Sequence, residues 1–273
     1  MKAWERELAA ARRLAIEAGK LALRYREGDL KVELKAGDEP VTIADRAASR
    51  LIVDGLVAEF PDDVVISEET EDDLRRLQAQ RVWYIDPIDG TKDFIRGEDG
   101  FCVMIGLTVG HRPLVGAIYQ PAGDRLYWAA PGRGAWAELP GQPPRAIAVS
   151  AVDRIEDIRF VASKSHRGGE IDQVKGALGI RNEVNVGSVG LKLALIALGE
   201  RDLYVNPYPK CKTWDTCAPE ALLVEAGGLM TDVHGQPLSY ASQTCDRPHG
   251  MVATNGKVHA AVIEKLAPVF AGR

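Results

Sequence analysis

Little in this sequence advertises a polymer partner or a special compartment. Formal net charge is -5 over 273 residues, so no basic field exists to attract a nucleic-acid polymer. No stretch approaches the roughly 20 apolar residues that a membrane span requires. The first residues carry Lys2, Glu5, Arg6 and Glu7 where a signal peptide needs an apolar block. Cysteines are few, at 102, 211, 217 and 245. Cys211 and Cys217 stand near each other but have neither a zinc-knuckle nor a redox spacing. Reduced thiols in a cytoplasmic protein are the expectation. There is no internal repeat and no low-complexity segment. What is present, 46% hydrophobic and 27% charged residues, is ordinary globular composition with length for one large domain or two small ones.

Apolar residues at three- and four-residue steps from Trp4 to Tyr25 predict a first helix. A second is predicted over 43–60, capped by Thr42 and stopped by Pro61. Short β-branched runs predict strands at 64–66 and 82–85. Segments 101–109, 114–119 and 125–130, separated by Gly/Pro turns, predict an antiparallel meander. The Pro/Gly-rich stretch 139–144 suggests a boundary, giving halves at 1–145 and 146–273. Beyond it strands (158–162, 182–186, 203–205, 251–254) alternate with helices (170–178, 191–198, 218–226, 258–266), which implies α/β layering.

Acidic residues sit where strands and helices begin or end. The apolar run 82–85 stops at Asp86-Pro-Ile-Asp89 before Gly90. Two carboxylates at a buried strand end repel unless a cation lies between them. Mg²⁺ takes oxygen ligands, and Asp86, Asp89 and a backbone carbonyl such as that of Ile88 suit it. A plain D-P/D-G turn accounts for the same residues. Glu68, in Ser67-Glu68-Glu69, follows another short strand and is equally readable as a solvated helix start. Asp215, in Trp214-Asp215-Thr216, is equally readable as a helix N-cap. Asp45 is equally readable as the partner of Thr42 in a capping box. Each site alone favours its structural explanation; their number and order favour chemistry.

Together, Val41-Thr-x-x-Asp45, Ser67-Glu68-Glu69, Asp86-Pro-Ile-Asp-Gly-Thr91 and Trp214-Asp215-x-x-Ala218 resemble the lithium-sensitive, magnesium-dependent phosphatases of the inositol monophosphatase and bisphosphate nucleotidase superfamily. The resemblance spans most of the chain. It implies an α/β layered sandwich (α-β-α-β-α) of the inositol monophosphatase and fructose-1,6-bisphosphatase type. It implies two or three Mg²⁺ ions held by Glu68, Asp86, the Ile88 carbonyl, Asp89 and Asp215. Asp45 and Thr91, with Glu68, would position or activate the attacking water. Gly90 and Thr91 would meet the phosphate, with Asp215 also at the substrate. Asp89-Gly-Thr-Lys-x-Phe94, Ser163-Lys-Ser-His166 and Trp214-Asp-Thr-x-Ala218 look most like the 3′(2′),5′-bisphosphate nucleotidase branch. The implied substrate is adenosine 3′,5′-bisphosphate, a by-product of sulfate activation. Lys192 would then take the 5′-phosphate, and Ser165 and His166 would touch phosphate or base. Inositol monophosphatases carry a glutamate seven residues before the W-D aspartate, and here that position is Tyr208. Inositol 1-phosphate or another sugar or polyol phosphate, such as fructose 1,6-bisphosphate, is the alternative substrate. A metal-binding module without turnover is the rival from a different class. The implied partner is a small phosphate ester, with the chain a monomer or homodimer.

Overall fold

The computed structural model describes residues 3–28, 30, 32–34, 40–164 and 168–272. Helix α1 (Glu5–Arg26) buries Leu8, Ala11, Leu14, Ala15, Ala18 and Ala22, one stripe of a 3.6-residue period. Helix α2 (Ile43–Glu59) starts at a closed capping box. The Thr42 hydroxyl accepts the Ala44 and Asp45 N–H groups, and the Asp45 carboxylate accepts the Thr42 N–H at 2.7 Å. Before it lies a two-stranded ribbon, β1 (Val32–Leu34) and β2 (Pro40–Thr42).

The larger sheet runs in chain order: β3 (Val64–Ser67), β4 (Arg81–Asp89), β5 (Cys102–Val109), β6 (Arg112–Gln120), β7 (Arg125–Ala130), β8 (Gly134–Glu138) and β9 (Arg145–Ile147). Only the β3–β4 pair is parallel. The short helix α3 (Thr91–Ile95) interrupts it after β4. The meander is longer than the sequence predicts. β8 and β9 are short and rich in Gly and Ala, so they carry little strand signal. The Pro/Gly segment 139–144 turns the hairpin between them.

The smaller sheet has order β11-β10-β12-β14-β13, from β10 (Arg159–Ser163), β11 (Asn182–Val186), β12 (Leu203–Asn206), β13 (Leu229–Thr231) and β14 (Met251–Thr254). Its helices are α4 (Gly169–Leu178), α5 (Val189–Ala197), α6 (Thr213–Glu225) and α7 (His259–Phe270).

Strand alternation sorts the layers. Val103, Ile105, Leu107, Val115 and Ala117 point to α1 and α2. Cys102, Met104 and Ile118 point the other way, to Leu191, Ala194, Ala218 and Leu222 of α5 and α6. The opposite faces of those helices, through Leu193, Ile196 and Leu223, meet Val161, Tyr204 and Ala253 of the smaller sheet. α4 and α7 close its far side with Val174, Leu178, Val262 and Phe270. The order is α-β-α-β-α.

One pair of glycines sets the central contact. Gly106 and Gly116 face each other across β5 and β6. A Cβ on Gly106 would stand 2.6 Å from the Ala218 nitrogen, and one on Gly116 would stand 2.3 Å from the Ala218 carbonyl oxygen. The absent side chains let α6 lie directly on the sheet. That places the first turn of α6 beside the end of β4.

Candidate active site

Four devices bring the acids together. The first is the β4 strand, which does not stop at Ile85 but continues through Asp89. Residues i and i+3 of a regular strand face opposite ways. Here Asp86 pairs with Met104 and Asp89 with Cys102, so three steps on β4 match two on β5. That irregularity is a β-bulge. Both aspartates therefore share the face of Met104 and Cys102. Pro87, with no N–H to leave unpaired, suits a bulge.

The second device is the parallel β3–β4 pairing. Ser67 lies opposite Ile85, and the Glu68 N–H donates to the Ile85 carbonyl at 3.1 Å. Glu68 thus emerges beside Asp86, on a turn rather than at the helix start its sequence suggests. The third is the glycine slot under α6. Asp215 is not the N-cap of this helix. Lys212 takes that position, and Asp215, in the first turn, accepts the Lys212 N–H at 2.7 Å. The fourth is the capping box of α2. One Asp45 oxygen caps the helix, and the other accepts the Thr91 hydroxyl at 3.3 Å. Thr91 also reaches the Ile88 carbonyl at 3.1 Å. The two tasks expected of Asp45 would use different oxygens, and it meets the cavity through Thr91 rather than lining it.

The result is a cavity of about 420 Å³ lined by Glu68, Asp86, Ile88, Asp89, Gly90, Thr91 and Asp215. Gly90 has φ +101°, and a Cβ there would stand 2.8 Å from the Gly100 carbonyl. Electrostatics record the crowding. Burial raises the Asp86 carboxyl well above the usual range, and Glu68, Asp89 and Asp215 raise it further. Burial, then the charge of Asp89, pushes Asp215 up to about 6. Burial also raises Asp89, but Lys192, the Ser188 hydroxyl and the Gly190 N–H oppose it. Among the described residues no three His, Cys, Asp or Glu side chains are already closed into a metal cluster. Four carboxylates and a carbonyl in one cavity are nevertheless a hard, all-oxygen donor set of the kind Mg²⁺ takes. Their mutual repulsion is what a cation would relieve, so the residues present fit such an ion.

Lys192 is 1% exposed and does not line the cavity. Its ammonium donates to the carbonyls of Gly187 (2.8 Å) and Val186 (3.3 Å) and lies over the Tyr204 ring. A lysine on a helix facing the inter-sheet layer is drawn to bare loop carbonyls when no water reaches it. The place expected for Lys192 at a 5′-phosphate would need its ammonium to leave these carbonyls. Ser165 and His166 lie outside the described residues.

Other lining residues went unnoticed in the sequence: Asp93, Tyr204, Lys210 and Lys212. Asp93 is 1% exposed and lies 3.7 Å from the Lys164 ammonium. Ser188 caps α5 and donates to Asp89 at 2.6 Å. D-G-T-K-D is a local string in which Asp93 can be spotted; the partners of Asp89 come from a distant segment and leave no such mark. Among the described residues no helix is long and apolar enough to cross a membrane.

Comparison with known proteins places the fold. A 3′(2′),5′-bisphosphate nucleotidase, CysQ of Shigella flexneri, is 36% identical over 233 residues, covering 83% of this chain and 91% of the relative. A histidinol-phosphatase of Mycobacterium tuberculosis is 33% identical, covering 95% of this chain and 97% of the relative. The solved structure of CysQ from Bacteroides thetaiotaomicron, a bacterial member of the inositol monophosphatase family, matches with a TM-score of 0.78 at 29% identity, over 93% of this chain and 98% of that one. The profile of the inositol monophosphatase family fits residues 3–269. With its layered fold and its acid-lined cavity, the chain is a phosphatase and belongs to the inositol monophosphatase family.

Proposed function

We propose that the chain hydrolyses a phosphate monoester with Mg²⁺ and that its substrate is a 3′,5′-bisphosphorylated nucleoside such as adenosine 3′,5′-bisphosphate. The observation that carries the reading is the meeting of acids from both sheets' surroundings, Glu68, Asp86, Asp89 and Asp215, on one cavity that also holds Thr91. Two or three ions bound to those oxygens and the Ile88 carbonyl would supply Lewis-acid charge to the phosphoryl group. The chain's own groups do the rest. Thr91 orients the attacking water, and Asp45, on its hydroxyl at 3.3 Å, takes up the proton. Glu68 holds the same water from the turn after β3. Gly90, without a Cβ, lets the phosphate approach the backbone beside Thr91.

The second phosphate is supported by cations on the cavity wall. Lys92, Lys210 and Lys212 line it together with the acids. Lys212 is held by Asp246 at 2.5 Å. The 36% identity to a bisphosphate nucleotidase supports the same choice. Tyr208 lines the cavity where a glutamate would accept polyol hydroxyls. A site lacking that acceptor selects weakly for inositol.

The test is phosphate release with Mg²⁺ from adenosine 3′,5′-bisphosphate, inositol 1-phosphate and histidinol phosphate. The expected order places the bisphosphate first in kcat/KM. Faster turnover of either other ester would overturn the nucleotide assignment, and no release from any would overturn the hydrolase reading. The third ester is included because the histidinol-phosphatase covers nearly all of this chain.

A further inference from the structure

Asp89 has one oxygen engaged from behind by two donors. Its Oδ2 accepts the Ser188 hydroxyl at 2.6 Å and the Gly190 N–H at 2.7 Å. Ser188 is 0% exposed, and its oxygen in turn accepts the Leu191 N–H at 3.0 Å as the cap of α5. The hydroxyl is thereby fixed from both sides: its proton points at Asp89 and its lone pair at the helix. Cys102 closes the pocket, its sulfur 3.1 Å from the Ser188 oxygen. One turn on, the buried Lys192 ammonium ties down the carbonyls of Val186 and Gly187, which lead into that cap. Gly187 and Val189 line the cavity.

We propose that Ser188 and Lys192 are positioning residues that hold Asp89 with only its Oδ1 presented to the cavity. The inference rests on the reading that Asp89 is a metal ligand. A carboxylate rotates freely about its last bond unless one oxygen is occupied, and a ligand that can rotate or bind through both oxygens defines a cation's position poorly. Outer partners of this kind typically change metal affinity or activity about 10–100-fold when removed. Lys192 contributes in two ways. It anchors the turn that carries Ser188, and it places a positive charge behind an otherwise acidic wall. Its ammonium is committed to the Val186 and Gly187 carbonyls and the Tyr204 ring rather than to the open cavity, so a substrate phosphate is not its partner in this proposal.

The experiment uses the whole chain and reads the Mg²⁺ concentration giving half of the Mg²⁺-induced rise in melting temperature. Ser188→Ala and Ser188→Gly remove the hydroxyl. Glycine is a fair helix cap, so it keeps α5 intact should alanine fray it. Both are expected to shift that concentration upward about tenfold or more, and Ser188→Thr is expected to restore it. Lys192→Met is expected to shift it in the same direction and to lower kcat equally for adenosine 3′,5′-bisphosphate and for a nucleoside 3′-monophosphate. An unchanged midpoint in both hydroxyl-free variants would overturn the role of Ser188. A rise in KM confined to the bisphosphate in Lys192→Met would overturn that of Lys192 and make it a phosphate contact. If the wild-type chain shows no Mg²⁺-induced rise, the metal reading itself fails, and this inference with it.

Discussion

Asp86 and Asp89 stand three residues apart on one strand, face one cavity, and live in opposite surroundings. Around Asp86 the dominant neighbours are other carboxylates, with a single backbone N–H, that of Ile88, at 3.0 Å. Around Asp89 they are a serine hydroxyl, a backbone N–H and a buried ammonium. One acid is left in need of a cation; the other has donors and an ammonium that offset part of the cost of its burial. A site built of two acids like Asp86 would be repelled apart, and one built of two like Asp89 would offer a cation less to relieve. Pairing them gives rigidity on one side and demand for charge on the other.

The contrast breaks most visibly with Asp86→Asn. Activity is expected to fall by about 10³-fold or more, the scale on which lost transition-state charge stabilisation is felt. The metal-free melting temperature should not fall, because a repelled charge has been removed. Asp89→Asn is expected to abolish activity as fully but also to lower metal-free stability by about 1–3 kcal/mol, since Ser188 and Gly190 lose an anionic acceptor. Paired calorimetry and rate measurements separate the two. Equal effects on metal-free stability would erase the distinction.

Next in size is Gly116→Ala, which pushes α6 off the sheet. Overpacking of about 1–3 kcal/mol is expected, together with a weaker melting-temperature response to Mg²⁺ because Asp215 moves with the helix. A loss of stability with an unchanged Mg²⁺ response would show that Asp215 is placed by something other than that slot.

The smallest effect isolates burial from crowding. Burial pushes Glu220 up to about 7 from its ordinary 4.5, against the Tyr240 hydroxyl and Arg247. A raised carboxyl holds its proton in the folded chain after the unfolded chain has released it. Its stabilising share is complete below about 4.5 and is lost as pH rises towards 7. Glu220→Gln is expected to flatten the fall in melting temperature across that window. An unaltered slope would show that Glu220 is not its source.

The two aspartates also mark how far the sequence could be read. D-P-I-D-G-T and W-D are contiguous strings, so the acids were legible as residues, and the capping box of Thr42 and Asp45 was legible in full because it lies within one helical turn. Layering of helices on sheets followed from alternating strands and helices, and the α-β-α-β-α order from the family resemblance. The surroundings of Asp89 were not legible, for Ser188 lies 99 residues away and arrives only when α5 packs over Cys102. Lys192 shows the other limit: its identity suggested an anion, but its direction was set by a helix face and two loop carbonyls. β8 and β9 escaped because alanine and glycine give strand register without strand propensity.

The bulge in β4 has an arithmetic side. With three residue steps spanning two, both aspartates face the cavity and the Ile88 carbonyl is released from the ladder towards Thr91. A single inserted residue would turn Asp89 toward the α1–α2 core. A single deletion would keep both acids in view but return that carbonyl to the sheet. Segment length is thus itself under chemical constraint here, in a way that scanning by substitution would never reveal, while the hairpin at 139–144 is free to grow or shrink.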